Sequence, residues 1–129
     1  MPISPRIGSI ALLARESKTA SFFSLGLLDF LDGFYEQPDG GKLEDEPISL
    51  KSTLSDEGYA DAYLAALAEH LALHFQLPVP AWTQNPKRVL KTPRFAFESE
   101  EGRIFLLMES PTAFRKRHIF ISADALSRV

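Results

Sequence analysis

Apolar residues recur at intervals of three and four between residues 20 and 36, the spacing that builds one apolar face of a helix. We therefore predict an amphipathic helix over Ala20–Glu36. Its principal face consists of Phe23, Leu27, Phe30, Leu31 and Tyr35. The face is widened by Phe22, Leu25, Leu28 and Phe34. This width indicates a central helix or a helix shared with a partner. A further short helix is predicted upstream, over residues 7–14.

A second long helix is predicted from residue 55 to about residue 75. Ser55 offers an N-cap oxygen, and the carboxylates of Asp56 and Glu57 suit the positive end of a helix dipole. On a helical wheel, one side carries Ala60, Tyr63, Leu64, Leu67, Leu71, His74 and Phe75. The opposite side carries Ala62, Ala65 and Glu69, with Asp61 at the flank, so Glu69 is predicted to point away from the apolar face. Residues 37–55 combine turn-forming and acidic residues, so we predict an irregular acidic connector with one turn of helix.

Prolines mark the ends and starts of helices in the second half of the chain. Pro78 and Pro80 end the second helix and lead an extended segment towards Trp82, which we predict to be a core residue or an interface anchor. Asn85 and Ser110 each precede a proline, the order of an N-cap and a first helical residue. They predict short helices over residues 86–90 and 112–118.

The chain between and after these short helices has β-favouring runs. Residues 94–97 are predicted to be extended, residues 104–108 fit either a helix or a buried strand, and residues 119–121 favour a strand. Ser122 is predicted to cap a last helical turn over residues 123–128. The pattern therefore predicts a mainly α fold: a small orthogonal helical domain with a minor β element near residues 119–121.

Composition narrows the class of protein. A chain of 129 residues with 45% hydrophobic residues fits a single domain over 1–129 that buries about two-thirds of its unfolded surface. The absence of cysteine excludes disulfides and thiolate zinc sites. Neither a secretion signal nor an apolar run of about 20 residues is evident, so we expect a cytoplasmic protein that does not associate with a membrane.

The small net charge of −3 conceals an uneven distribution. Residues 1–80 carry 5 Lys/Arg and 12 Asp/Glu, a net charge of −7, whereas residues 81–129 carry 9 and 5, a net charge of +4. Such asymmetry is typical either of a basic contact surface or of two halves that complement each other on folding.

Candidate catalytic and metal sites are few. His70 and His74 are four residues apart, so both imidazoles can face one ion, with His118 as a conceivable further ligand. The metalloprotease motif needs Glu directly after the first His, whereas Glu69 precedes it, and a packing role is the commoner one for His74. No nucleophile elbow or phosphate-binding loop is present. We therefore predict no metal, no cofactor and no catalytic residue.

Basic and aromatic residues alternate in the C-terminal half. The basic residues are Lys87, Arg88, Lys91, Arg94, Arg103, Arg115, Lys116 and Arg117, and the aromatic ones are Trp82, Phe95, Phe97 and Phe114. This combination suits phosphate neutralisation and base stacking, and equally an acidic protein partner. The predicted partner-binding residues are Trp82, Phe114, Arg115, Lys116 and Arg117.

Three stretches carry a resemblance to a known family: residues 30–35 (FLDGFY), 61–82 (DAYLAALAEHLALHFQLPVPAW) and 109–129 (ESPTAFRKRHIFISADALSRV). They resemble a bacterial family of small proteins similar to the C-terminal region of antitoxin-like helix-turn-helix regulators, often encoded beside a nucleotidyltransferase-type protein. The resemblance implies a regulatory or antitoxin-like partner protein rather than an enzyme. No helix-turn-helix segment precedes Phe30, so the DNA-binding role of the longer relatives is not carried over.

Together these observations predict a non-enzymatic intracellular interaction protein, a regulatory partner of a nucleotidyltransferase-type protein. The alternative is a nucleic-acid-binding regulator that uses the basic C-terminal half.

Overall fold

The computed structural model describes residues 7–96 and 99–127, and within them helices dominate. The α-helices are α1 (Ile10–Glu16), α2 (Ala20–Glu36), α3 (Gly41–Glu44), α4 (Lys51–Leu54), α5 (Tyr59–His74), α6 (Glu100–Glu109) and α7 (Thr112–Arg115). Single 3-10 turns span Ala81–Gln84, Pro86–Arg88 and Ala123–Leu126, and the strands are β1 (Arg94–Phe95) and β2 (Ile119–Phe120). The mainly α prediction with a minor β element is confirmed.

Helix α5 lies at the centre of the molecule. It packs against α4, α7 and the first two 3-10 turns, and its buried residues include Ala62, Ala65 and Glu69, which the wheel placed opposite the apolar face. The one-sided prediction is therefore wrong, because the small alanine side chains let neighbouring elements approach α5 from nearly every direction.

The start of α5 also differs from the prediction. Ser55 does not cap it, since Ser55 ends α4 in a left-handed conformation with φ 49°. Gly58, with φ 88°, is the N-cap residue. Asp56 supplies the capping oxygens instead, because its Oδ1 accepts a hydrogen bond from Gly58 N at 3.0 Å and its Oδ2 one from Ala60 N at 2.8 Å.

Helix α2 has the predicted bounds, and Thr19 caps it through a hydrogen bond from Phe22 N to Oγ1 at 3.1 Å. It packs against α1, which begins three residues later than predicted. Gly26 makes this close packing possible, because a Cβ at that position would lie 2.6 Å from Leu13 Cδ1. Glycine at this position therefore allows α1 and α2 to pack closely, although glycine lowers helix stability relative to alanine.

The acidic connector is held in place although it is irregular. It contains two one-turn helices, α3 and α4, where one turn was predicted. The buried Asp61 carboxylate accepts hydrogen bonds from Leu50 N at 2.7 Å and Ser49 Oγ at 2.6 Å. Buried Arg88 donates to Pro47 O at 2.7 Å and to Asp61 O at 3.1 Å. These bonds fasten the connector to α5.

The two strands are parallel, with Arg94 opposite Ile119 and Phe95 opposite Phe120. Helices α6 and α7 connect them, so residues 104–108 are helical rather than a strand. Asn85 caps the second 3-10 turn and Ser122 the third, as predicted, although residues 128–129 lie outside the described range. Ser110 is not a helix N-cap, because Pro111 holds that position before α7.

Candidate partner-binding surface

Helix α6 forms because its ends are well specified. At its start, Ser99 Oγ accepts a hydrogen bond from Gly102 N at 3.0 Å, and Glu100 and Glu101 occupy the first turn, where negative charge is favourable. At its end, Ser110 N donates to Leu106 O at 3.0 Å and Pro111 follows. The helix is therefore a defined ten-residue element.

The outer side of α6 is apolar and exposed. Relative exposure is 54% for Ile104, 47% for Phe105, 47% for Leu107 and 76% for Met108. We call these four residues the α6 patch. Contiguous large apolar side chains on a surface are typical of interaction sites, whereas single exposed ones are ordinary.

A narrow attachment holds α6 to the body of the protein. Leu106 is the buried residue of the helix. Ser110 Oγ lies 2.6 Å from Leu106 O and 2.9 Å from Ile121 O, so its hydroxyl ties the last turn to the segment after β2. Because the attachment uses one side of the helix, none of the elements described above covers the α6 patch.

Arg115 borders the α6 patch. Its NH1 lies 3.4 Å from Leu107 O and its NH2 3.3 Å from Thr112 Oγ1, so the guanidinium lies beside the C-terminal half of α6. Arg115 is exposed and is one of the five predicted partner-binding residues. An arginine beside exposed apolar side chains is a common composition for a binding surface.

The other predicted residues do not join Arg115 at this surface. Trp82 is partly buried, donates from Nε1 to Leu43 O at 3.0 Å, and has the Arg88 guanidinium 4.9 Å from its ring centroid. It therefore anchors α3 to the segment after α5. Phe114 is fully buried, with its ring centroid 5.0 Å from that of Tyr63.

Arg117 is buried in a polar network around Glu69. Its NH2 donates to Glu69 Oε1 at 2.8 Å and to Thr83 O at 2.6 Å, and its NH1 donates to Ala113 O at 2.7 Å. Lys116 Nζ and Gln84 Nε2 each reach the same Glu69 oxygen at 2.8 Å. This network joins α5, the first 3-10 turn and the chain after α7, so replacing Arg117 tests stability rather than binding.

The charge of Glu69 is stabilised by its partners. Burial raises the pKa of its carboxyl, but hydrogen bonds from Lys116, Gln84 and Arg117 lower it, and the net pKa lies below the ordinary value. Glu69 is therefore a structural counter-ion for two cations.

The basic residues of the C-terminal half do not form one open patch. Arg88 and Arg117 are buried, and Lys116 is paired with Glu69. The guanidinium of Arg94 lies 4.5 Å from the Tyr59 ring centroid, and that of Arg103 lies 5.5 Å from the Phe95 ring centroid. With Phe114 buried and Phe97 outside the described residues, these contacts weaken the case for a base-stacking surface.

His70 and His74 stack on the exposed edge of α5, with ring centroids 6.0 Å apart and planes 14° from parallel. Among the described residues, no group of three or more His, Asp or Glu side chains is arranged to hold a metal ion. Burial lowers the pKa of His70, and neighbouring His74 lowers it further. The imidazole of His70 instead packs edge-on to Phe114, with centroids 6.2 Å apart.

Two features, the exposed apolar face of α6 and the enclosure of α5 around Glu69, have signals in the sequence. Ser99 followed by two acidic residues marks a helix start, and a ten-residue helix with five consecutive apolar residues cannot bury all of them on one side. The alanines around Glu69 signal a helix packed on all sides. The pairing of Glu69 with Arg117, 48 positions away, has no local signal.

Within residues 7–96 and 99–127, no helix combines the length and the hydrophobicity needed to cross a bilayer. Comparison of the chain with protein-family models, curated proteins and solved structures gives no match.

Proposed function

We propose that this protein is a non-enzymatic interaction protein that binds a protein partner through the α6 patch. The observation that carries the proposal is the exposure of four large apolar side chains on a capped helix. Burying such side chains at a contact releases roughly 25 cal/mol per Å² of apolar surface, which gives a partner a reason to bind there.

The composition of the surface suits a protein partner. Apolar side chains form its centre and Arg115 its rim, which is the usual division between the energetic core and the polar border of an interface. The family resemblance of residues 109–129, which include the end of α6 and all of α7, suggests the finer form of the proposal. In this form the partner is a cytoplasmic nucleotidyltransferase-type protein that this antitoxin-like chain restrains.

The finer form of the proposal is tested by calorimetric titration of the purified chain into a nucleotidyltransferase-type protein, chosen from the genes next to that of this chain. Replacing Phe105 and Met108 together by Ser is expected to weaken binding by about 100-fold, because two anchors of the apolar centre are lost. Leu73→Ser, at an equally exposed position on α5, is the matched control and should bind as the unaltered chain does.

Equal affinity of the Phe105→Ser, Met108→Ser variant and the unaltered chain would remove the α6 patch from the proposal. The alternative nucleic-acid role makes a different prediction, namely affinity for DNA or RNA that falls steeply as salt is added. Exposed Lys87 and Lys91 are the residues to replace in that experiment.

A further inference from the structure

We propose that this protein also binds the phosphate backbone of a nucleic-acid duplex, through residues 87–94, which we call the basic segment. This inference goes beyond the proposed function, because it assigns a second ligand to a surface other than the α6 patch. The contact is made with phosphates and is independent of base sequence. The protein partner and the duplex then do not compete for the same residues.

Two neighbouring stretches of the chain concentrate positive charge. Residues 81–96 and 110–123 together carry seven Lys and Arg residues and no Asp or Glu. A hydrogen bond from Leu90 N to Arg117 O at 3.2 Å and the pairing of β1 with β2 hold the two stretches side by side. The surface that they form is therefore basic, although the whole chain has a net charge of −3.

Carboxylates from other segments offset only part of this charge. Three of them lie near the two stretches, namely Glu46, Asp56 and Glu69. Seven cations against these three carboxylates leave a net charge of +4. Among residues 7–96 and 99–127, Lys87, Lys91 and Arg94 form no ion pair with a carboxylate. These three exposed cations are therefore available to phosphates.

The basic segment presents its lysines on one side. Lys87, Val89 and Lys91 are exposed. The residues between them, Arg88 and Leu90, are buried, which is the alternation of an extended chain. Four residues span at most about 14 Å, and the phosphates of one strand follow each other about every 3.4 Å along a duplex. Both ammonium groups therefore reach phosphates of one strand within about four nucleotides.

The composition of the segment favours nucleic acid over an acidic protein. Protein interfaces usually have apolar or aromatic anchors at their centre and are depleted in lysine. The one large apolar side chain exposed on the basic segment is Val89, at 38%. Phosphates need only cations and hydrogen-bond donors, so lysines without an apolar centre suit them.

The surrounding rings favour a duplex over a single strand. Proteins that bind single strands stack the bases on exposed aromatic rings. Phe114 and Phe120 are buried. Phe95 lies parallel to Phe120, with centroids 4.7 Å apart, and has the Arg103 guanidinium 5.5 Å from its own centroid. These rings are already in contact with groups of the protein, so phosphates rather than bases are contacted.

The inference is tested by fluorescence anisotropy with a labelled DNA duplex of about 20 base pairs and arbitrary sequence. Three phosphate contacts predict a slope of about −2.7 for the logarithm of affinity against that of salt, a loss of about 40-fold between 50 and 200 mM. The variant Lys87→Gln, Lys91→Gln should reduce the slope to about −0.9. Lys18→Gln, Lys51→Gln, which removes two exposed lysines elsewhere, is the matched control and should keep the original slope. Circular dichroism confirms that each variant is folded.

Three results would overturn the inference. The first is no binding of the duplex at 50 mM salt and protein concentrations up to about 100 µM, and the second is an equal slope for the two variants. The third is equal or tighter binding of polyglutamate or of a single strand, which would indicate an acidic protein or exposed bases as the ligand. None of these results touches the proposed function, which is measured by calorimetry with the protein partner. Conversely, duplex binding with the predicted slopes stands even if that partner does not bind.

Discussion

At the scale of single residues, the buried charges of Glu69 and Arg117 are important for the stability of the fold. Glu69 is 6% exposed, and Arg117, 1% exposed, has two of its three nitrogens bonded to acceptors. Arg117 Nε is buried and has no hydrogen-bond partner among residues 7–96 and 99–127, so the loss of its contact with water is not offset. Removing one member of the Glu69–Arg117 pair should therefore be strongly destabilising, whereas replacing both by apolar residues should be tolerated.

Glu69→Ala is expected to lower the free energy of unfolding by about 3–5 kcal/mol, because it leaves the Arg117 guanidinium buried without its counter-ion. Chemical denaturation measures the change. The double variant Glu69→Leu, Arg117→Met should regain most of the loss, since no uncompensated charge remains. Glu109→Ala, at an exposed carboxylate, is the control. A small effect of Glu69→Ala would mean that the network carries little of the stability.

The lowered pKa of His70 predicts a dependence of stability on pH. The folded state binds the His70 proton more weakly than the unfolded state, so the stabilisation is fully present above the unfolded value of 6.5. It is lost as the pH falls through the lower folded pKa. Thermal unfolding between pH 7.5 and 5 should show this decline, and His70→Phe should reduce it. His74→Gln, at the exposed neighbour, should retain most of the decline.

At the scale of elements, helix ends were easier to predict than helix sides. Asn85 and Ser122 cap turns at the predicted positions, and α2 begins at the predicted residue, because a capping hydrogen bond joins residues only two or three positions apart. The N-cap predictions for Ser55 and Ser110 were wrong, because serine also occurs at helix C-termini and tertiary contacts decide which role it has. Ser55 follows the end of α4, and Ser110 follows the end of α6. Ser110 uses its hydroxyl on carbonyl oxygens that α6 and the chain after β2 bring together.

The role of Ser110 leads to a prediction for α6. Ser110→Ala should lower the free energy of unfolding by about 1–2 kcal/mol, because the Ser110 hydroxyl no longer reaches Ile121 O and only the hydrogen bond from Ser110 N to Leu106 O remains. Amide hydrogen exchange should accelerate first in α6, which has few other attachments. Ser24→Ala, exposed in α2, is the control. Uniform acceleration across the whole chain would argue that α6 does not open separately.

At the scale of the whole molecule, the fold class was accessible from the sequence and the arrangement was not. Periodicity located α2 and α5 because the spacing of apolar residues is a local property. Which sides of α5 are covered depends on α7 and the 3-10 turns, which come later in the chain. The same limit applies to the candidate surface. From the sequence, Phe114, Arg115 and Arg117 were equally good candidates for partner binding, and only the packing shows that Phe114 and Arg117 are buried whereas Arg115 is exposed.

The enclosure of α5 has a consequence for synthesis of the protein. Translation completes α5 before α7, β2 and Arg117 exist, so the nascent chain holds an alanine-rich apolar helix and the Glu69 carboxylate without their later cover. Stable folding therefore has to wait until residues 112–120 have been synthesised. We expect nascent chains that stop before α7 to depend on chaperones. We also expect α5, the central helix, to be the last element that becomes protected from solvent.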